Sequence, residues 1–311
     1  MTALPDPLEA AERPDRVNYA TGVLLDAQDF ADEQTYHRSR LGRALAYLHG
    51  SGTLAGLAVS PPQRLGSPLD PTPDWELHVN PGLALDRYGR LIEIPQRPWC
   101  LRINRWWNAL ADAANPMGRS ALAAANRAGV TTVDVFLLHQ TCPRGLTPSF
   151  AEGALDATDA TVPHRLRDGF RILLAPRDLT PTDPATLPGP RLAAPTGADA
   201  AARLSALKQS LLDAFDGSLA RPGERALPER GEPALSYRRE QPLALPPAAA
   251  GLAAEALSPA AVFLARLSIP GLDDGPGNPA LPNFAAMGAA DVDNLSRAFV
   301  LPTDALAYSF V

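Results

Sequence analysis

The groups able to do chemistry in this chain are few: five histidines, two cysteines, one lysine and a scatter of carboxylates. His37 and His49 stand twelve positions apart, about 120° around a helix, so they cannot face one ligand together. His37 falls among apolar positions and reads as a packed, hydrogen-bonded histidine. His78 reads as solvated on the polar face of a strand, and His139 as the structural end of a buried one. Gly50-Ser51-Gly52 imitates a serine elbow. The elbow joins a strand to a helix, however, whereas this tripeptide follows a helix and reads as its stop. Asp29, Asp32 and Glu33 crowd a helix start, where dipole and capping chemistry account for them. Asp273-Asp274-Gly275-Pro276-Gly277-Asn278 lacks the alternating ligands and distal bidentate glutamate of a calcium loop, and reads as a surface turn.

Other catalytic signatures are missing from the sequence. It contains no HExxH, no G-x-S-x-G and no dinucleotide glycine fingerprint. Lys208, the single lysine, lies in an ordinary amphipathic stretch, so neither a P-loop nor a Schiff base is supported. Cys100 and Cys142 belong to no CxxC, which leaves a zinc site or redox pair without a sequence signal. The residues therefore point away from an enzyme, with no catalytic residue, cofactor or metal ligand expected.

Composition narrows the class further. The chain has 311 residues, 46% hydrophobic and 20% charged, with a formal net charge of -6. That apolar share supports a sizeable core and argues against wholesale disorder. The 33 prolines are roughly twice the usual share, so long helices must be few. Net negative charge without a basic run excludes nucleic acid as an expected partner. No run of about 18 apolar residues exists, so no membrane insertion is expected. The acidic, proline-marked start MTALPDPLEAAERPDR does not read as a signal peptide, which implies synthesis in the cytoplasm.

The elements that must position these residues can be read from period and punctuation. Asp26 is a helix N-cap, and helical character runs to Tyr47–His49 before Gly50. Phe30, Gln34, His37, Leu41, Ala44 and Leu48 follow heptad spacing along one seam. Leu54–Val59 reads as a strand. Trp75–Val79 alternates, Asn80-Pro81-Gly82 turns, Leu83–Leu85 extends, Asp86–Gly89 turns and Arg90–Ile94 alternates again. The whole reads as an antiparallel meander whose apolar face covers the helix. Residues 104–127 read as two short helices broken at Pro116. Val130–His139 and Phe170–Ala175 read as buried strands separated by a turn-rich excursion over residues 141–163. Residues 176–198 read as a linker, Leu204–Phe215 as an amphipathic helix and Ala261–Ile269 as a strand.

Three of these pieces carry a resemblance. Asn18-Tyr19-Ala20-Thr21-Gly22-Val23-Leu24-Leu25, continuing through Asp29-Phe30 and Glu33-Gln34-Thr35-Tyr36-His37, is the first. Leu48-His49-Gly50-Ser51-Gly52, running on to Gly56-Leu57-Ala58-Val59, is the second. The third is Val79-Asn80-Pro81-Gly82-Leu83-Ala84-Leu85-Asp86-Arg87-Tyr88-Gly89-Arg90. Together they resemble an uncharacterised protein family encoded with phage-tail-like contractile injection systems, tailocins and extracellular injection particles among them. The likeness covers about the first 95 residues, with weaker echoes at Val262–Leu267 and from Asn294 to Leu306.

What the resemblance implies is a structural component at the baseplate or fibre attachment of such a particle. Its partners would be baseplate, tube or fibre proteins and further copies of itself, as a homo-oligomer. It would become part of a phage-like particle that can be released from the cell. The positions carried over are structural: Tyr19, Gly22, Phe30, His37, Leu41, Leu48, Gly52, Gly82, Asp86 and Gly89. Two other readings compete with it. One is a receptor- or glycan-binding module using Trp75, Trp106 or Trp107 as stacking platforms. The other is a wall-degrading hydrolase with scattered carboxylates.

The expected fold is α+β, with the N-terminal helix on a small antiparallel meander and then mixed β-rich parts with short helices and proline-rich loops. The expected division is an assembly domain over residues 1–100, a mixed segment over 101–178, a proline-rich linker with one helix over 179–247, and a β-containing segment over 248–311.

Overall fold

A computed structural model describes Asp6, Leu8 and residues 14–67, 69–70, 72–148, 161–177, 197–213, 260–272 and 281–301. The fold is α+β, as expected. It opens with α1 (Ala27–His49), whose N-cap Asp26 accepts from the backbone N–H groups of Gln28 and Asp29. Asp29 closes the capping box by accepting from the Asp26 N–H. Gly50 ends the helix at φ +74°, a conformation that costs glycine little. No helix among the described residues is long and apolar enough to cross a membrane.

Three antiparallel sheets follow. β1 (Gly52–Gly56) pairs with β4 (Gly82–Leu85), which pairs with β5 (Leu91–Ile94). β2 (Val59–Leu65) pairs with β3 (Asp74–Val79), which pairs with β6 (Trp99–Arg102). The third sheet centres on β8 (Val130–Pro148). It is flanked by β9 (Thr161–Pro176) and β10 (Val262–Leu272), with short additions from β7 (Asn126–Arg127), β11 (Leu281–Pro282) and β12 (Val292–Asp293). The helix pair α2 (Ile103–Ala111) and α3 (Pro116–Ala124) sits between. Pro116 occupies the first turn of α3, and Asn115 caps it by accepting from the Gly118 N–H at 2.9 Å. A fourth α-helix among the described residues, α4 (Ala200–Asp213), lies in the region read as amphipathic.

One core joins the three sheets. Leu57, Leu77, Val79, Ile92 and Ile94 meet Ile103 and Trp107 of α2, Val133, Val135 and Leu137 of β8, and Leu264, Leu267 and Ile269 of β10. Burying a leucine, valine or isoleucine contributes about 1.5–3 kcal/mol, so this cluster is the main source of stability. It draws on both sides of residue 100, so the expected boundary there does not separate two cores. The C-terminal segment locks onto it through Asn294. That side chain accepts from the Val59 N–H at 2.8 Å and donates to the Val59 carbonyl at 2.9 Å, supplying the partner a further strand would supply.

Three expectations are corrected. Trp75–Ile94 keeps its antiparallel strands, but Asn80–Gly82 carries the chain from one three-stranded sheet to another. Of the excursion over residues 141–163, the described residues 141–148 and 161–163 are the continuation of β8 and the start of β9, which pair from Val133↔Pro176 out to Pro148↔Thr161. Pro143, Pro148 and Pro163 suggested turns, yet a two-stranded ribbon tolerates proline wherever the missing N–H would have faced outward. Third, α1 buries Thr35, Gly42 and Ala46 in place of the expected heptad seam. Most of the proline-rich linker reading falls outside the described residues.

Candidate functional site

The densest polar cluster lies where the β4–β5 turn meets α1 and β8. Asp86 accepts from the backbone N–H groups of Tyr88 and Arg90, each at 2.9 Å, and from Arg90 Nε at 2.6 Å. Arg90 also donates to Asp6 at 3.1 Å, and Arg38 of α1 reaches the same carboxylate oxygen at 3.1 Å. His139 of β8 stands 3.6 Å from Asp6 and 3.5 Å from Asp168. The Arg90 guanidinium lies over the Tyr88 ring, 4.9 Å from its centroid. Asp86, Arg90, Asp6 and His139 are all buried.

The electrostatics of this cluster are those of a structural clamp. Burial raises the Asp86 carboxyl above its ordinary value even though Arg90 opposes the shift. For Asp6 burial works against the charge, but the Leu8 N–H, Arg38 and Arg90 together hold its carboxyl below the usual range. Burial, seconded by the charge on Arg90, lowers His139 against the pull of Asp6, Asp168 and Asp86.

A folded-state histidine pKa below its unfolded value of about 6.5 has a definite consequence. As pH falls through that value the unfolded chain takes up the proton first, so stability declines with acidification. Urea titrations at pH 7.5 and pH 5.5 should therefore show a loss in the natural chain that is smaller in His139→Gln.

α1 docks on this turn through small residues. Its buried positions are Thr35, Gly42 and Ala46, and Gly42 lies against the Tyr88 and Gly89 backbone. The heptad seam, expected to face the strands, faces outward instead. Phe30 is 49% exposed, Leu41 63% and Leu48 76%, and Gln34, His37 and Ala44 are exposed with them. The physical reason is approach distance, because a helix can meet backbone closely only through glycine and alanine. The larger apolar side chains are therefore left on the far side. His37 is consequently not a packed core histidine. Its nearest ionic neighbour is Glu33, at 3.8 Å one turn earlier.

Among the described residues, β10 leaves β8 at Leu137, and beyond it β8 pairs with β9 alone. Arg144 stands directly opposite Arg165, Arg167 opposite Cys142, and Leu146 and Leu166 are exposed. Like charges set opposite one another weaken a ribbon, and isolated two-stranded ribbons are marginal in water. A groove of about 590 Å³ opens at the ribbon's base against β5, its lining mixing Arg144 and Arg167 with Glu93 and Asp168.

The remaining expected positions fall as follows. The Tyr19 hydroxyl donates to the Glu33 carboxylate, Gly22 adopts φ +91°, and Gly52 packs against the Ala298 carbonyl. Gly82, although it closes a turn, does not take a positive φ. It is glycine because a Cβ there would stand 2.3 Å from the Ala55 carbonyl oxygen of β1. Sequence reasoning missed Asp6, which pairs with Arg90, and Arg38 and His139, which reach Asp6 in turn, since no spacing connects them. It also missed the grouping of Glu76, His78 and Cys100, whose ligand atoms lie within 4.8 Å of one another. His78, expected to be solvated, is half-buried with Glu76 Oε2 at 3.0 Å. The tryptophans offer no exposed trough, for Trp107 is buried and Trp75, Trp99 and Trp106 pack against the core. No protein-family description matches the chain, and a search of curated proteins finds no significant relative.

Proposed function

We propose that this chain is a structural component of a phage-like contractile tail or injection particle, placed at the baseplate or a fibre attachment, and that it works by permanent protein–protein assembly without turnover. The observation that carries the proposal is the outward heptad seam. All six seam positions are exposed on a helix whose opposite face is already docked. Heptad spacing is the geometry in which one helix packs knobs-into-holes on another, and two identical helices satisfy it mutually. The occupant of this seam is the same helix of a second copy, making the chain a homo-oligomer. The arginine-lined outer ribbon, whose edges pair with no other strand among the described residues, is offered to baseplate, tube or fibre proteins.

The resemblance of the first 95 residues supports the particle class. The matching positions serve capping, turn geometry and close backbone approach, which suits a part that is built in rather than one that reacts. Tryptophans packed into the core speak against the glycan-reading alternative. In cells carrying the surrounding gene cluster, deleting this gene should yield particles that lack a discrete density by electron microscopy, and complementation should restore it. Particles identical with and without the gene would refute the proposal, as would glycan cleavage by the purified chain.

A further inference from the structure

β3 is the central strand of its sheet and β6 lies at the edge, with His78 directly opposite Cys100 in the register. Directly opposed residues of an antiparallel pair place their Cβ atoms about 4.5–5.5 Å apart on one face. Glu76 precedes His78 by two positions and shares that face, while Leu77 and Val79 turn into the core. The result is a carboxylate, an imidazole and a thiol converging from two rigid strands. Their donor atoms lie within 4.8 Å of one another, and Glu76 Oε2 is 3.0 Å from His78 Nε2.

We propose that Glu76, His78 and Cys100 form a binding site for a zinc-class divalent cation, with a fourth coordination position open to water. Tetrahedral zinc holds nitrogen and oxygen ligands at about 2.0–2.2 Å and sulfur at about 2.3 Å, which sets ligand atoms roughly 3.3–3.6 Å apart. Small side-chain rotations bring the three groups to that separation. A thiolate and an imidazole in one set favour zinc over magnesium or calcium, which take oxygen ligands. The arginine across the strand from Glu76 does not compete: Arg102 is paired with Asp74, which also binds Arg105 at 3.3 Å and Asn104 at 3.0 Å. Cys100 is exposed, so an ion can enter. Binding a cation deprotonates the Cys100 thiol and releases its proton to solvent. The site is independent of the assembly reading, since it shares no residue with the seam or the ribbon.

Cobalt(II) titration of the purified, reduced full-length chain tests the assignment. The expected result is a tetrahedral cobalt spectrum with a thiolate-to-cobalt charge-transfer band, displaced by zinc. The band should vanish in Cys100→Ser, persist in Cys142→Ser, and need roughly tenfold or more cobalt in His78→Ala. In the natural chain, which needs no substitution to fold, zinc should slow alkylation of Cys100 as mapped by mass spectrometry. A spectrum without the thiolate band, a band surviving Cys100→Ser, or unchanged Cys100 alkylation in zinc overturns the site.

Discussion

Gly89→Ala should undock the N-terminal helix and cost about 3 kcal/mol or more of folding stability. Two penalties act at one atom. Gly89 sits at φ +73°, where an L-residue pays about 1–2 kcal/mol. An added Cβ would also lie 1.9 Å from the Gly42 carbonyl oxygen and 2.7 Å from the Gly42 Cα. Both obstacles are backbone, so no rotamer change relieves them, and α1 must move away from the turn. Gly22→Ala separates the two contributions. Its φ is +91° with nothing within 4 Å of the added carbon, so only the conformational cost of about 1–2 kcal/mol applies. Urea unfolding of the two variants should rank Gly89→Ala well below Gly22→Ala. Equal losses would mean that the close approach of helix and turn is not tight.

Arg90→Met should cost about 3–5 kcal/mol, the usual penalty for removing one partner of a buried ion pair. Methionine keeps much of the volume but leaves Asp86 and Asp6 without the guanidinium that joins them. Burial already raises the Asp86 carboxyl, and without Arg90 it rises further. The folded variant therefore takes up a proton more readily than the unfolded chain, and part of the lost stability returns as pH is lowered. Denaturant titrations should show a larger loss at pH 8 than at pH 5. A loss below about 1 kcal/mol, or one that does not depend on pH, would show that the pair is not the clamp described.

The elements legible in the sequence were those fixed by local chemistry. Asp26 as a cap, Gly50 as a stop, Pro116 opening a helix and the turn at Asp86–Gly89 each depend on residues within one or two turns of chain. The α+β class followed from the switch between helical and alternating periods. What could not be read was contact between distant segments. The heptad stripe was legible as a pattern but was assigned to the wrong side, because period alone cannot tell which face of a helix meets the protein. Gly42 and Ala46, small and unremarkable in the sequence, took the buried side because they admit the Tyr88 and Gly89 backbone. Asp6 and His139 are 133 positions apart, and only the folding of β8 against the β4–β5 turn unites them. The grouping of Glu76, His78 and Cys100 depends on strand register, which no spacing rule for metal sites encodes.

Strand continuity failed for a related reason. Residues 141–148 and 161–163 carry proline, glycine and threonine in a pattern that reads as loop, yet each segment finds its partner in the other. The directly opposed Arg144 and Arg165 bring no stability to that ribbon. Under the assembly proposal their use lies in an acidic surface on a neighbouring protein, where planar guanidinium groups bind carboxylates in pairs.

The central claim is that the chain enters a particle as a homo-oligomer joined through the outward seam of α1, so that breaking the seam prevents incorporation. Sedimentation of particles from cells expressing either the natural chain or a Leu41→Glu, Leu48→Glu variant tests it most directly. Both positions are exposed in the single chain, at 63% and 76%, so the variant should still unfold in one cooperative urea transition, as a monomer. The natural chain should sediment with the particles, and the folded variant should remain in the supernatant. A variant that sediments with the particles as fully as the natural chain would contradict the account.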